Sequence, residues 1–398
     1  IRNSWSGNDL RNLKIKKSWI VYACLIVVLV FLNILARNST AFCNWYIEVM
    51  LPIGINTLGR FMGWFPFSVG EFMIGAAILY VALAVFLALA LLVLCSMRFF
   101  KSLHQNHPSV SHPSGLLRFS RAYGKSLAWV VLVGLWLCSL NAFMLYHGDT
   151  FATMYFPVDG AEYTLEELTA IRNMVVERCN ELSALVERDA QGNPVYAGDM
   201  KEASIKAMQS LGQTYSRLDG YYPKPKALLM SDFCCQQYIQ GYYFPFSMEA
   251  NYNSVMYIMN KPATMCHELA HLRGYLLEDE ANFIGFLACI QSDDVFFQYS
   301  GYLSVLNYLD NDYYRALGSD VKQYMQQIAI DPIVISDNVF VSSQEWERIE
   351  NAGWFRTEDV DAVTDALIDV NLKANGIEDG ILSYNRVVKL VMCYYRNP

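Results

Sequence analysis

The chain has 398 residues, 54% of them hydrophobic and 17% charged, with a formal net charge of −8. So apolar a composition excludes a disordered protein, and the lack of any basic patch speaks against nucleic-acid binding. The charges are unevenly divided: residues 1–147 hold twelve Lys and Arg against three acids, net +9, and residues 148–398 hold 18 bases and 35 acids, net −17. That asymmetry marks two parts with different surroundings.

The first part, residues 1–147, reads as a membrane anchor. Uncharged runs occupy about 18–36, 72–97 and 126–148, and each is long enough to cross a hydrocarbon core of about 30 Å as a helix. A cleaved signal peptide is a poor account of the first run, since no small-residue cleavage site follows it and two further runs come later. Arg11, Lys14, Lys16 and Lys17 precede the first span, and Arg98, Lys101, Arg118, Arg121 and Lys125 fill the loop between the second and third. The intervening loop balances Arg37 and Arg60 with Glu48 and Glu71. The positive-inside rule therefore puts the N-terminus in the cytoplasm and residues 148–398 outside. Asn44–Ser68, aromatic and punctuated by Pro and Gly, is expected at the outer interface as a re-entrant or amphipathic element.

Of ten cysteines, Cys24, Cys95 and Cys138 fall in the spans. The other seven have no zinc-ribbon spacing, and disulfides among them are open but their pairing is unreadable.

The outer part is long enough for one sizeable core. Thr164-x-x-Glu167 is a capping box opening a helix to about Arg188, and a second helix runs from about Asp199 to Leu218. Residues 226–259 are rich in Tyr, Phe, Val and Met with turn residues at Gly241, Pro245 and Asn251, which predicts short strands, the best of them Asn253–Met259. A strand there could bind an extended peptide by main-chain pairing. From 281 onward helices are expected at 281–291, 302–329, 343–352, 360–373 and 382–395. The fold class is thus a membrane protein with three N-terminal transmembrane helices and an α+β, helix-rich outer domain.

Thr264–His271 contains the motif HExxH, which places His267 and His271 four residues apart on one helix face. Zn²⁺ accepts neutral imidazole nitrogens at that spacing, and Glu268 between them can act as general base towards a water on the same side. Gly274 supplies a helix stop just after the second His. A catalytic zinc needs a third protein ligand, which Glu278 or Glu280 can provide; Asp279 is shorter and points elsewhere on a helix. Positions 278 and 282 share a helix face, whereas 280 lies about 200° round from 278. FIGFLACI, residues 283–290, is too short to span, so the chemistry belongs in water beside the membrane and not within a transmembrane helix. Tyr384 and Arg386 are candidates to stabilise a developing oxyanion.

Glu278-x-x-Ala281-Asn282 resembles the ExxA(D/N) signature of gluzincin-type metallopeptidases. The resemblance implies Glu278 as the zinc ligand and Asn282 as the residue that orients a ligand His. The six residues between His271 and Glu278 are fewer than those enzymes usually have, so the chain must reverse sharply at Gly274. The arrangement as a whole resembles a family of uncharacterised bacterial membrane proteins, domain of unknown function 3810. The segments that carry the resemblance are PFSVGE (66–71), GYYFPFSMEANYN (241–253), MCHELAH (265–271), EDEANF (278–283) and LKANGIEDGILSYNRVVKL (372–390). It implies a zincin-like zinc peptidase domain outside the bacterial plasma membrane, acting on an extracytoplasmic peptide or protein, and supplies no substrate. The alternative is a receptor or envelope assembly factor that uses the zinc fold as a binding module, its acidic outer surface meeting a partner.

Overall fold

The computed structural model describes residues 17–104, 115–156, 162–353, 356–358, 360–362, 364–365 and 386–396. Three helices are long and apolar enough to cross a membrane, over Lys17–Asn38, Val69–Met97 and Gly115–His147. The first is α1 (Lys17–Asn38). The second belongs to α3 (Val69–His104), and the third to α4 (Gly115–Cys138), extended by a π-helical turn, Ser139–Phe143, and a 3₁₀ turn, Leu145–His147. Val27, Phe31 and Ile34 of α1 and Leu79, Phe86 and Leu92 of α3 are exposed, as contact with acyl chains requires. Sparse polar contacts link the helices: the Tyr22 hydroxyl donates to the Ala128 carbonyl (3.2 Å), and the Asn33 amide to Ser139 Oγ (3.0 Å).

Between α1 and α3 the chain forms α2, helical from Thr40 to Met62 with π-helical turns at Tyr46–Met50 and Ile55–Gly59. Ser39 caps it by accepting from the Phe42 amide at 3.2 Å. One face of α2 (Tyr46, Ile47, Leu51, Ile55) is buried, while Trp45, Ile53, Phe61 and Trp64 are exposed. The buried face belongs to the same apolar core as Met144, Leu269, Phe286, Leu309 and Val391. A single core thus joins the helices of the C-terminal part to the segment between the first two apolar helices.

The outer helices begin where local chemistry starts them. After α5 (Phe151–Tyr155), α6 (Leu165–Ser183) opens on the capping box, with Thr164 Oγ accepting from the Glu167 amide and the Glu167 carboxylate from the Thr164 amide. Asp199 caps α7 (Met200–Gly212), which stops earlier than expected; Ser216–Leu218 is a separate 3₁₀ turn. The sheet is small: β1 (Lys226–Ala227) lies parallel to the central β3 (Glu249–Tyr252), and β2 (Gly241–Phe244) pairs antiparallel on its other side. Asn253–Met259 is not a strand. The Asn253 side chain accepts from the amides of Val255 and Met256 (3.0 and 3.3 Å), which turns the chain just past β3. A 3₁₀ turn at Ile258–Asn260 then leads into α8 (Lys261–Leu272).

Beyond α8 come α9 (Glu278–Ile290), α10 (Val295–Ala316), α11 (Ser343–Ala352) and α12 (Val387–Arg396). The helix expected over 302–329 is shorter and earlier. Asp294 starts α10 by accepting from the amides of Phe296 and Phe297, and left-handed residues Gly318 (φ +62°) and Ser319 (φ +63°) end it. All ten cysteines lie among the described residues, and no disulfide joins them. Gly376, Gly380 and most of the helix expected over 360–373 fall outside the described residues, as do Arg11, Lys14 and Lys16.

Candidate metal centre

Helix α8 carries Pro262 in its first turn, where a missing amide proton costs nothing. Met265, Cys266, Leu269 and Ala270 bury it on several sides. The remaining stripe presents His267 and His271, whose rings stand 4.6 Å apart at 86°. The helix ends at Gly274 (φ +90°), where the Gly274 amide donates to the His271 carbonyl at 3.0 Å. A Cβ at 274 would stand 2.9 Å from Ile47 Cγ2, so the reversal needs glycine for both conformation and space. That turn allows α9 to begin at Glu278, back against α8.

The geometry converges on three donors. His267 Nε2 lies 3.2 Å from Glu278 Oε2, and His271 Nε2 lies 3.7 Å from Glu278 Oε1. One ligand atom from each of the three lies within 4.8 Å of the others. A tetrahedral ion with bonds of about 2.0–2.2 Å needs donors roughly 3.3–3.6 Å apart, so two imidazoles and a carboxylate at these distances suit zinc. The tautomer suits it too. His271 Nδ1 is 2.7 Å from the Tyr275 carbonyl; a carbonyl can only accept, so Nδ1 carries the proton and Nε2 keeps its lone pair. Burial pushes the His271 pKa down to about 4, favouring the neutral, ligating form.

The other two groups are tied to each other. Burial would lower the His267 pKa, but its contact with the Glu278 carboxylate outweighs this and raises it. Burial likewise opposes ionisation of Glu278, and the two imidazoles overcome it, holding its pKa below the ordinary value. Glu268 behaves differently. It is buried, and burial raises its pKa to about 8. Its Oε2 has no hydrogen-bond partner, and Oε1 lies 4.0 Å from His267 Nε2. Glu268 thus stands beside the imidazoles as a buried carboxyl with one oxygen unpartnered.

Neighbouring acids do other work. Glu280 is buried and accepts from the Ala152 amide (3.1 Å) at the start of α5, away from the imidazoles. Asn282 reaches the His267 imidazole with its side chain and lines the cleft. Arg386 is exposed and its charge acts on Asp279, lowering that carboxyl against a larger effect of burial. Tyr384 lies outside the described residues.

The donors open into a cleft of about 1130 Å³. Residues with no signal in the sequence line it: Tyr146 at the end of α4, Tyr308 on α10 and Gly241 at the start of β2. Burial raises the Tyr308 pKa, helped by the negative charge of Glu278, so a protonated phenol faces the donors. Gly241 is a close approach: a Cβ there would stand 2.7 Å from Glu268 Oε1 and 2.6 Å from the Asn251 carbonyl. Only the glycine at the head of an aromatic strand, GYYF, hints at this in the sequence.

The family model described as "Protein of unknown function (DUF3810)" matches residues 46–392. No curated protein and no solved structure matches the chain.

Proposed function

The chain belongs to the DUF3810 family, whose description names no activity, and from the site itself we propose that it is a membrane-anchored, zinc-dependent peptidase. The observation that supports this most directly is the convergence of His267, His271 and Glu278 within 4.8 Å of one another, beside a buried carboxyl with a free oxygen. His267 Nε2, His271 Nε2 and a Glu278 oxygen would hold the ion. Zinc in such a site supplies a Lewis acid that polarises a carbonyl and makes water nucleophilic at neutral pH.

The chain's own groups divide the remaining work. The Tyr275 carbonyl fixes the His271 ring, and Asn282 steadies His267. Glu268 takes a proton from water in the cleft and returns it to the leaving amine. Tyr308 and Tyr146 offer hydroxyl protons to developing negative charge, a role for which Tyr384 and Arg386 were candidates in the sequence. Strand β2, at the edge of the sheet, offers main-chain groups to an extended polypeptide, in place of 253–259. The charge balance across the three apolar helices supports an orientation with the N-terminus in the cytoplasm and the cleft outside the bacterial plasma membrane.

The test is a comparison of wild type with Glu268→Gln and His267→Ala on a peptide library, with metal content measured on the same samples. Glu268→Gln keeps zinc and loses hydrolysis; His267→Ala loses both. A wild type that binds peptides without turnover, indistinguishably from Glu268→Gln, would replace the peptidase with a receptor or assembly factor.

A further inference from the structure

We infer that the polypeptide cut here is itself anchored in the membrane, and that it enters the cleft along the outer end of α4 with its scissile bond a few residues beyond its apolar segment. The inference rests on the peptidase reading above and names its class of substrate.

The cleft is built partly from the membrane anchor. Cys138, Ala142, Phe143 and Tyr146, all within the third apolar helix, line the same space as His267 and Glu268. Strand β2 connects the two regions. At its first residue, Gly241 abuts the Glu268 carboxylate. At its last, the Phe244 ring lies against Gly70 of α3, where a Cβ would meet it at 2.7 Å. Just beyond, Phe246 stands 3.8 Å from the Cβ position of Gly134 near the end of α4, and the Asn141 amide donates to the Pro245 carbonyl at 2.8 Å. The Tyr243 hydroxyl closes the contact on the Asn141 carbonyl at 3.2 Å. Among the described residues β2 pairs with β3 alone, and its other edge carries no strand among them. That edge runs from the catalytic carboxylate to two membrane helices.

The same cleft is also lined by Asn307, Asn311, Asn338, Asp361 and Asp365. The lining therefore combines side chains of the third apolar helix with polar and acidic groups from the rest of the chain. A chain that emerges from the bilayer is delivered to that lining, and its tether raises the local concentration. The exposed apolar side chains Trp45 and Ile53 of α2, with Trp64 in the turn that follows it, keep the domain close to the lipid surface. The three residue steps from Gly241 to Phe244 cover about 10 Å at 3.3 Å each, which sets the reach from membrane helix to Glu268. The cut then falls about three to six residues outside the apolar segment of the substrate.

The experiment uses the full chain in proteoliposomes, wild type and Glu268→Gln. Substrates are one random-sequence peptide library in three forms: fused directly to a single leucine-rich transmembrane helix, fused through a flexible Gly/Ser spacer of about twenty residues, and free in solution. The expected result is cleavage of the direct fusion at least about tenfold faster than the spaced one, with cuts clustered near the anchor, and none by Glu268→Gln. The spaced form shares the surface concentration, so equal rates for direct and spaced fusions would overturn the tethered-substrate inference while leaving the peptidase intact. Free peptide cut as fast as the direct fusion would do the same. If zinc-loaded wild type cuts none of the three, the peptidase reading itself fails, and this inference falls with it.

Discussion

Lys226 and Glu249 form a buried ion pair between β1 and β3 that also ties the sheet to the membrane helices. The Glu249 carboxylate accepts from the amides of Val69 (3.2 Å) and Gly70 (2.8 Å) at the N-terminus of α3, and from the Ser247 hydroxyl at 2.6 Å. Lys226 Nζ donates in addition to the Met62 carbonyl at 2.7 Å. Lys226→Met removes one charge and strands the other. Breaking such a pair from one side costs about 3–5 kcal/mol, because an uncompensated charge stays buried. Glu249 retains three donors and a helix N-terminus after the change, so the low end, about 3 kcal/mol, is expected. For a unit of this size that corresponds to a melting shift of roughly 6–12 °C. Glu249→Ala should cost more, since it buries the ammonium alone and leaves the Val69 and Gly70 amides at the start of α3 without their carboxylate acceptor. The assay is thermal unfolding of the detergent-solubilised protein, followed by intrinsic fluorescence. The decisive comparison is the double variant Lys226→Met/Glu249→Gln, which leaves no net charge and should recover at least half of the single-variant loss. A shift below about 2 °C for Lys226→Met, or a double variant no better than the single, would refute the argument.

Further outcomes are expected. His271→Ala or Glu278→Ala should lower bound zinc measured by elemental analysis to well under one per chain, while Glu280→Gln, facing α5, leaves the stoichiometry unchanged. Gly274→Ala should destabilise by roughly 1–3 kcal/mol, because φ of +90° strains an L-residue and its Cβ meets Ile47; a variant as stable as wild type by thermal melting would contradict this. The Glu167 pKa is depressed to about 2, chiefly by its hydrogen bond to Arg396. A depressed folded value gives stabilisation that is complete above the ordinary pKa of 4.5 and lost as pH falls from there toward 2. Glu167→Gln should flatten the acid limb of the melting profile in that window. Trp64 is 79% exposed in the turn that follows α2; brominated lipids should quench wild-type fluorescence more than that of Trp64→Phe, and equal quenching would place that turn away from the bilayer.

What could be read from the sequence was whatever depends on neighbours along the chain. The lengths of the three apolar runs, the i, i+4 spacing of His267 and His271, the reciprocal caps of Thr164 and Glu167 and the helix stop at Gly274 all follow from backbone periodicity and local hydrogen bonding. The same logic misjudged Asn253–Met259. Its apolar composition suits a strand, but one amide side chain turned the backbone instead. The meeting of Glu278 with the two imidazoles needed the fold, because it depends on how tightly the turn at Gly274 returns α9 onto α8 against Ile47. Tyr146, Tyr308 and Gly241 come to the cleft from the third apolar helix, from α10 and from a strand, and no local pattern links them. The Lys226–Glu249 pair and the run of β2 from Glu268 to Gly70 are likewise products of long-range packing. Side chains far apart in the chain become partners only when burial in a common core removes water from between them.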